Sequence, residues 1–257
     1  MGEAKRRKGE IETRKSSGPR IDPSRNPEPT AALALRLHAM LEAAKQDGNI
    51  NPAVDLLHAK LDATIQGFGQ LPIACKKGCS HCCHTRVSAT APELLVIAKI
   101  IKNRGNGVIE RVKKAHLQTK EFDLHTRAKR PYPCPLLEEG ICSIYDFRPK
   151  ACRLAASGDA SICARAILDL TGERIPAPVS YEKARTVYVI ALTVALKRSN
   201  LPYAAYELNA GLVRAIDFPD AERAWLGGKD IFADVPRDPV DPFAEPATQA
   251  IFRHAFG

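Results

Sequence analysis

The stretch Cys75-Lys76-Lys77-Gly78-Cys79-Ser80-His81-Cys82-Cys83-His84 decides how the rest of the chain is read. Four of the eight cysteines fall within it, and the others, Cys134, Cys142, Cys152 and Cys163, follow at wide spacing. Thiolates gathered in this way hold a soft metal or an iron–sulfur cluster, or pair as disulfides. On a helix, Cys75, Cys79, Cys82 and Cys83 share one face, since they sit at i, i+4, i+7 and i+8. In a knuckle-like loop, Gly78 supplies a tight turn ahead of Cys79. Either geometry converges several sulfurs. The neighbours Cys82 and Cys83 are expected to diverge, by about 100° on a helix or to opposite faces of a strand. They are therefore not expected to chelate one mononuclear ion together.

A tetrahedral zinc takes four ligands and a cubane cluster usually takes four thiolates. Eight cysteines fill two such sites, or one with thiols to spare. His81, His84 and Asp159 are further possible donors, each with an ordinary polar role as the simpler reading. Lys76 and Lys77 can offset the charge of bound thiolates. Cys163 lies beside Ile162, Ala166 and Ile167, so a packed thiol is the alternative for that residue. Eight cysteines also allow four disulfides in 105 connectivities. Cys79 and Cys82 form a C-x-x-C pair that could relay thiol redox chemistry. No thioredoxin-like βαβ pattern surrounds that pair, and metal binding is the favoured reading.

Composition narrows the class. The chain has 257 residues, 45% hydrophobic and 26% charged, enough for one large domain or two small ones with a core that does not depend on metal. No run of about 18 apolar residues occurs, so no membrane partner is expected. Residues 1–25 contain no apolar segment of the secretory type, which points to the cytoplasm, where thiols stay reduced and disulfides are rare. The net charge is +9. Residues 1–26 hold eight basic side chains against four acidic ones. An arm of this kind can touch nucleic acid, but no aromatic residues interleave with it to stack on bases. A solvated tail is the expectation, with nucleic acid not expected as a partner and a protein partner left open. The sequence is silent on oligomeric state.

The periodicity predicts a mainly α fold, an irregular helical domain with a loop-rich cysteine-cluster metal site at its centre. Residues 1–29 read as a disordered basic tail, 30–235 as the helical domain with its core motif over 75–163, and 236–257 as a C-terminal tail. Thr30 is expected to cap a helix over 30–47, with Leu33, Leu37, Met40 and Leu41 on one face and Gly48 as its stop. Asn51-Pro52 opens a second helix, striped by Val54, Leu57, Leu61 and Ile65 and ended by Gly67. Thr90-Ala91-Pro92-Glu93 is a capping box. It starts a helix carrying Leu94, Leu95, Ile97, Ala98 and Ile101, which breaks at 103–107. A more polar helix follows over 108–124. Residues 131–156, rich in proline, read as mostly loop, ordered by metal rather than by backbone ladders. Helices are expected from Asp159, over 180–197 with Tyr188, Leu192, Ala195 and Leu196 as the apolar stripe, over 202–216 and over 219–226. The proline-rich stretch after Gly228 shows no clear period and is expected to wrap the surface.

The second half of the cysteine set reads Cys134-Pro135-Leu136-Leu137, Gly140-Ile141-Cys142-Ser143-Ile144-Tyr145 and Arg148-Pro149-Lys150-Ala151-Cys152-Arg153. With the vicinal pair Cys82-Cys83, these segments resemble the cysteine-cluster proteins of the YkgJ type, the zinc- or iron-chelating CxxCxxCC domain. The resemblance covers about residues 75–153. Three residues rather than two separate Cys75 from Cys79, a departure from the family's spacing. The resemblance implies a metal-binding role for Cys75, Cys79, Cys82, Cys83, Cys134, Cys142 and Cys152, and Cys163 completes the set of eight candidate ligands. The implied cofactor is zinc or iron, the latter as an ion or an iron–sulfur cluster. Arg148 and Arg153 are read either as cations facing the thiolate field or as partners of carboxylates. Tyr145 reads as a packed ring with a bonded hydroxyl.

Three functional classes follow. The first is a metal-binding protein of undefined biological role, in which the centre organises the fold or carries metal or electrons. The second is an iron–sulfur-dependent protein-modifying enzyme, since the resemblance extends to flagellin lysine N-methylases. Cys75-x3-Cys79-x2-Cys82 has the spacing of a radical enzyme motif, but no alternating strand–helix pattern accompanies it. No Gly-rich loop follows a strand. The third class is a nucleic-acid-associated protein acting through the basic arm, which the salt dependence of binding would reveal.

Overall fold

Leu33, Leu37, Leu41 and Ala44 recur along the first helix, and all four are buried. The structure is a computed structural model, and it describes residues 23–123, 126–127 and 129–257. The proposed tail over 1–22 lies outside the described residues. Helix α1 spans Glu28–Asp47 and α2 spans Asn51–Gln66. The first begins ahead of Thr30: Pro27 is its N-cap residue, and Thr30 is buried inside the first turn. Proline suits this end because its missing N–H would have no intrahelical partner there.

The next pair is α3, Ala91–Arg104, and α4, Asn106–Thr119. Every residue from Ala91 to Ala98 is buried, so α3 runs through the interior rather than over it. The capping box holds as read: the Glu93 carboxylate accepts from the Thr90 backbone N–H at 3.0 Å. After a single turn of helix, α5 (Lys150–Arg153), come α6 (Ala160–Ile167) and α7 (Val179–Arg198). Tyr188, Leu192, Ala195 and Leu196 are buried on α7, as the stripe requires. Helices α8 (Leu208–Asp217), α9 (Ala221–Leu226) and α10 (Pro246–Phe256) complete the chain.

Helix α1 packs along α7, α10 covers both, and α2 lies against α1 and α7. Helix α3 packs against α8, which also meets α4. Two short antiparallel pairs complement the helices among the described residues: β1 (Ser88–Thr90) with β4 (Ala205–Glu207), and β2 (Leu137–Glu138) with β3 (Ile141–Cys142). The fold is mainly α, as expected.

Two readings of the C-terminal half are corrected. The stretch 202–216 is not one helix. Its first part is β4, which sets Tyr206 opposite Ala89 and buries that ring, and Glu207 then caps α8 by accepting from the Ala210 N–H at 2.7 Å. The stretch 236–257 is not a surface wrap throughout, because its end is α10, with Thr248 and Ile251 buried. Proline misleads here: Pro246 reads as a breaker, yet it occupies the first turn, where it costs no hydrogen bond. Among the described residues no helix is long and apolar enough to cross a membrane.

Candidate metal centre

The cysteine stretch adopts the knuckle alternative, not the helical one. Gly78 stands at φ +92°, a conformation that glycine reaches without steric cost, and the Cys79 N–H closes the turn on the Lys76 carbonyl at 2.9 Å. His81–His84 then form one turn of 3-10 helix. Cys82 and Cys83 both line the same cavity, and among the described residues they are not part of any group of three donors set to hold one ion.

The second half of the set lies directly against the first. The Cys134 N–H donates to the Cys83 carbonyl at 2.7 Å, and the Tyr132 N–H donates to the His84 carbonyl at 3.0 Å. Arg127, buried, closes this crossing by donating to the carbonyls of His84, Arg130 and Tyr132 at 3.1, 2.8 and 2.9 Å. From Cys134 the chain enters the β2–β3 hairpin. Its two-residue loop, Glu139 at φ +48° and Gly140 at φ +77°, has the positive angles of a type I′ turn and places Cys142 opposite Leu137. Residues 131–156 are thus mostly loop, but with a hairpin and a helical turn that periodicity had not suggested.

Pro149 directs the last approach. Arg148 is extended before it (φ −55°, ψ 139°), as a residue preceding proline prefers. Cys152 then sits inside α5 rather than on a loop. The Glu93 carboxylate fixes that helix: it accepts from the Lys150 backbone N–H at 2.6 Å and from Lys150 Nζ at 3.2 Å. Arg153 Nη1 donates to both Asp62 carboxylate oxygens, at 2.7 and 2.6 Å, while Arg148 faces the thiols and lies over the Tyr145 ring at 3.6 Å. The two readings of the arginines are therefore each realised once. Asp159 acts as the N-cap of α6, accepting from the Ser161 and Ile162 N–H groups, and His84 Nδ1 lies 3.1 Å from the Ser80 carbonyl oxygen.

Six of the eight candidate ligands, Cys79, Cys82, Cys83, Cys134, Cys142 and Cys152, line one cavity of about 550 Å³. Cys75 and Cys163 stand outside its lining: Cys75 is exposed with its thiol 4.0 Å from the Ser157 carbonyl, and Cys163 is buried on α6, which packs against the 3-10 turn. Burial raises the Cys134 thiol pKa to about 11 and pushes those of Cys75, Cys142 and Cys152 above the usual range. The neighbouring Cys83 thiol, then burial, raises that of Cys82. Neighbouring sulfurs add to the effect at Cys152, and Arg148 opposes it. A bound cation would reverse the balance by favouring thiolate, with release of protons.

Residues 74–166 match the CxxCxxCC family model, whose description reads "Putative zinc- or iron-chelating domain". The segment is a CxxCxxCC domain. All eight cysteines lie inside the match, whereas α1, α2 and the helices from α7 onward lie outside it. No curated protein and no solved structure matches the chain. The donor set of the CxxCxxCC domain suits a soft metal, since thiolates are the ligands that zinc and iron–sulfur centres use. A single tetrahedral zinc at about 2.3 Å from each sulfur needs its sulfurs within about 3.8 Å of one another. Among the described residues no three His, Cys, Asp or Glu side chains are set to hold one ion. The thiols are distributed around a cavity wall instead.

Sequence reasoning missed Arg127, Lys150 and Asp62 as supports of this site, and also His58, whose Nε2 lies 3.6 Å from the Glu93 carboxylate. Glu93 was legible as a cap but not as the partner of Lys150. A long apolar run with one carboxylate in its first turn was the available signal, because a buried carboxylate demands partners from elsewhere.

Proposed function

We propose that the protein holds an iron–sulfur cluster in the cavity shared by the two halves of its cysteine set, with a biological role in carrying electrons or metal. The observation that carries this reading is the ring of six cysteines from both halves around one cavity. That is more thiols than one zinc takes, and they are spread rather than gathered at a point. Cys134, Cys142 and Cys152 would supply ligands from one side and Cys79, Cys82 and Cys83 from the other. When bound, such a cluster supplies one-electron redox chemistry.

The chain's own residues prepare the site. Arg148 brings a cation to a cavity that would hold several thiolates. Leu136, Ile144 and Leu154, all buried, limit the access of water to the sulfurs. Eight free thiols in this arrangement suit a reducing compartment, so we place the protein in the cytoplasm. The test is the iron, sulfide and zinc content of anaerobically purified protein together with its visible absorption. Iron and sulfide in equal amounts with broad visible absorption are expected. A colourless protein with stoichiometric zinc would remove the cluster and leave metal chelation alone.

A further inference from the structure

A second cavity of about 430 Å³ lies away from the thiols, between α1, α2 and α7. Its floor is apolar, formed by the buried Leu33, Ala184 and Tyr188, with Val187 beside them. Each helix contributes one cation to its lining: Arg36 from α1, Lys60 from α2 and Lys183 from α7. All three are exposed, and among the described residues none has an ion-pair partner and no carboxylate lines the cavity. Ser180 also lines it, with a shielded Oγ that lacks a hydrogen-bond partner among the described residues.

From this juxtaposition we infer that the cleft binds a small amphipathic anion, its hydrocarbon part on Leu33 and Tyr188 and its charged head among Arg36, Lys60 and Lys183. The volume falls within the range of roughly 300–1,000 Å³ seen for small-molecule sites. The three cations come from separate helices, so one head group placed between them meets all three fields. The chain's own N-terminal arm is a poor occupant, because its excess of basic side chains would repel this rim. The bland alternative is that the lysine and arginine stems merely cover the apolar floor. That alternative predicts no preference for the sign of a ligand's charge.

The experiment is isothermal titration of the full chain, metal-loaded, with dodecanoate below its aggregation concentration, and with dodecyltrimethylammonium as the cationic probe of equal chain length. Dodecanoate is expected to bind at one site at least tenfold more tightly than the cation. Substituting Arg36→Gln, Lys60→Gln and Lys183→Gln together should weaken dodecanoate at least tenfold, and Lys183→Gln alone about threefold. Val187→Trp should abolish binding by filling the cavity, with metal content unchanged in every variant. Equal binding of the two probes, no binding of dodecanoate, or full binding by Val187→Trp would each overturn the inference. Metal content is read separately, so failure here is distinct from failure of the cluster reading.

Discussion

The Glu93 carboxylate, at the third position of α3, accepts a 2.6 Å hydrogen bond from the backbone N–H of Lys150, 57 residues further along the chain. A second bond from Lys150 Nζ at 3.2 Å completes a buried ion pair, and the His58 ring lies beside it with Nε2 3.6 Å from the carboxylate. Glu93 thereby joins the start of α3 to the helical turn that carries Cys152. Removing one member of a buried pair leaves the other uncompensated, at a cost of about 3–5 kcal/mol. Glu93→Ala should therefore lower unfolding free energy by about that amount, measured by denaturant titration. It should also reduce bound metal per chain, because α5 loses its anchor. An unchanged midpoint would show that Lys150 finds another partner.

The same carboxylate predicts a pH dependence. Burial pushes its pKa up, but the Lys150 cation, His58 and the Lys150 N–H bond outweigh burial and hold it well below the usual carboxylate range. A depressed folded pKa means that the unfolded chain binds the proton more readily, so the stabilisation is present above the unfolded value of about 4.3 and is lost as pH falls below it. The denaturant midpoint of the parent protein should drop between about pH 5 and pH 3 by more than that of Glu93→Gln, which has no carboxyl to protonate. Parallel curves for the two proteins would count against this account.

The cysteines divide by position. Cys152 lines the cavity, whereas Cys163 is buried on α6 outside its lining. Cys152→Ser should lower metal per chain at least severalfold and raise the protease sensitivity of residues 131–156. Cys163→Ser should retain most of the metal. Full retention in Cys152→Ser removes that residue from the ligand set, and equal loss in both variants indicates two four-thiolate sites.

The hairpin that carries Cys142 depends on Gly140 at φ +77°. A side chain in this left-handed region costs about 1–2 kcal/mol. Gly140→Val should destabilise the protein by about that much and weaken metal retention under a competing chelator. Gly107→Ala lies within α4 at ordinary φ, where an added Cβ meets nothing within 4 Å, and serves as the control that adds a side chain without straining the backbone. Equal chelator sensitivity of the two variants would show that the turn does not position Cys142.

The local sequence by itself determined the long helices, because burial of one face imposes a period that survives in Leu33, Leu37 and Leu41 or in Tyr188, Leu192 and Ala195. It also determined the capping box at Thr90 and Glu93 and the chemistry of the thiol set, since these depend on residues close in the chain or on donor type alone. Only the tertiary structure decided that the Cys83 carbonyl meets the Cys134 N–H and that Ala89 pairs with Tyr206. It also decided that Arg153 turns to Asp62 while Arg148 turns to the thiols. A periodic pattern records that a face is buried and not what buries it. An arginine carries the same charge whichever anion it meets, so the choice between carboxylate and thiol falls to the path of the backbone. Proline in the first turn of α10 hid a helix for the same reason: its effect depends on which backbone groups need partners, and that is known only once the chain is folded.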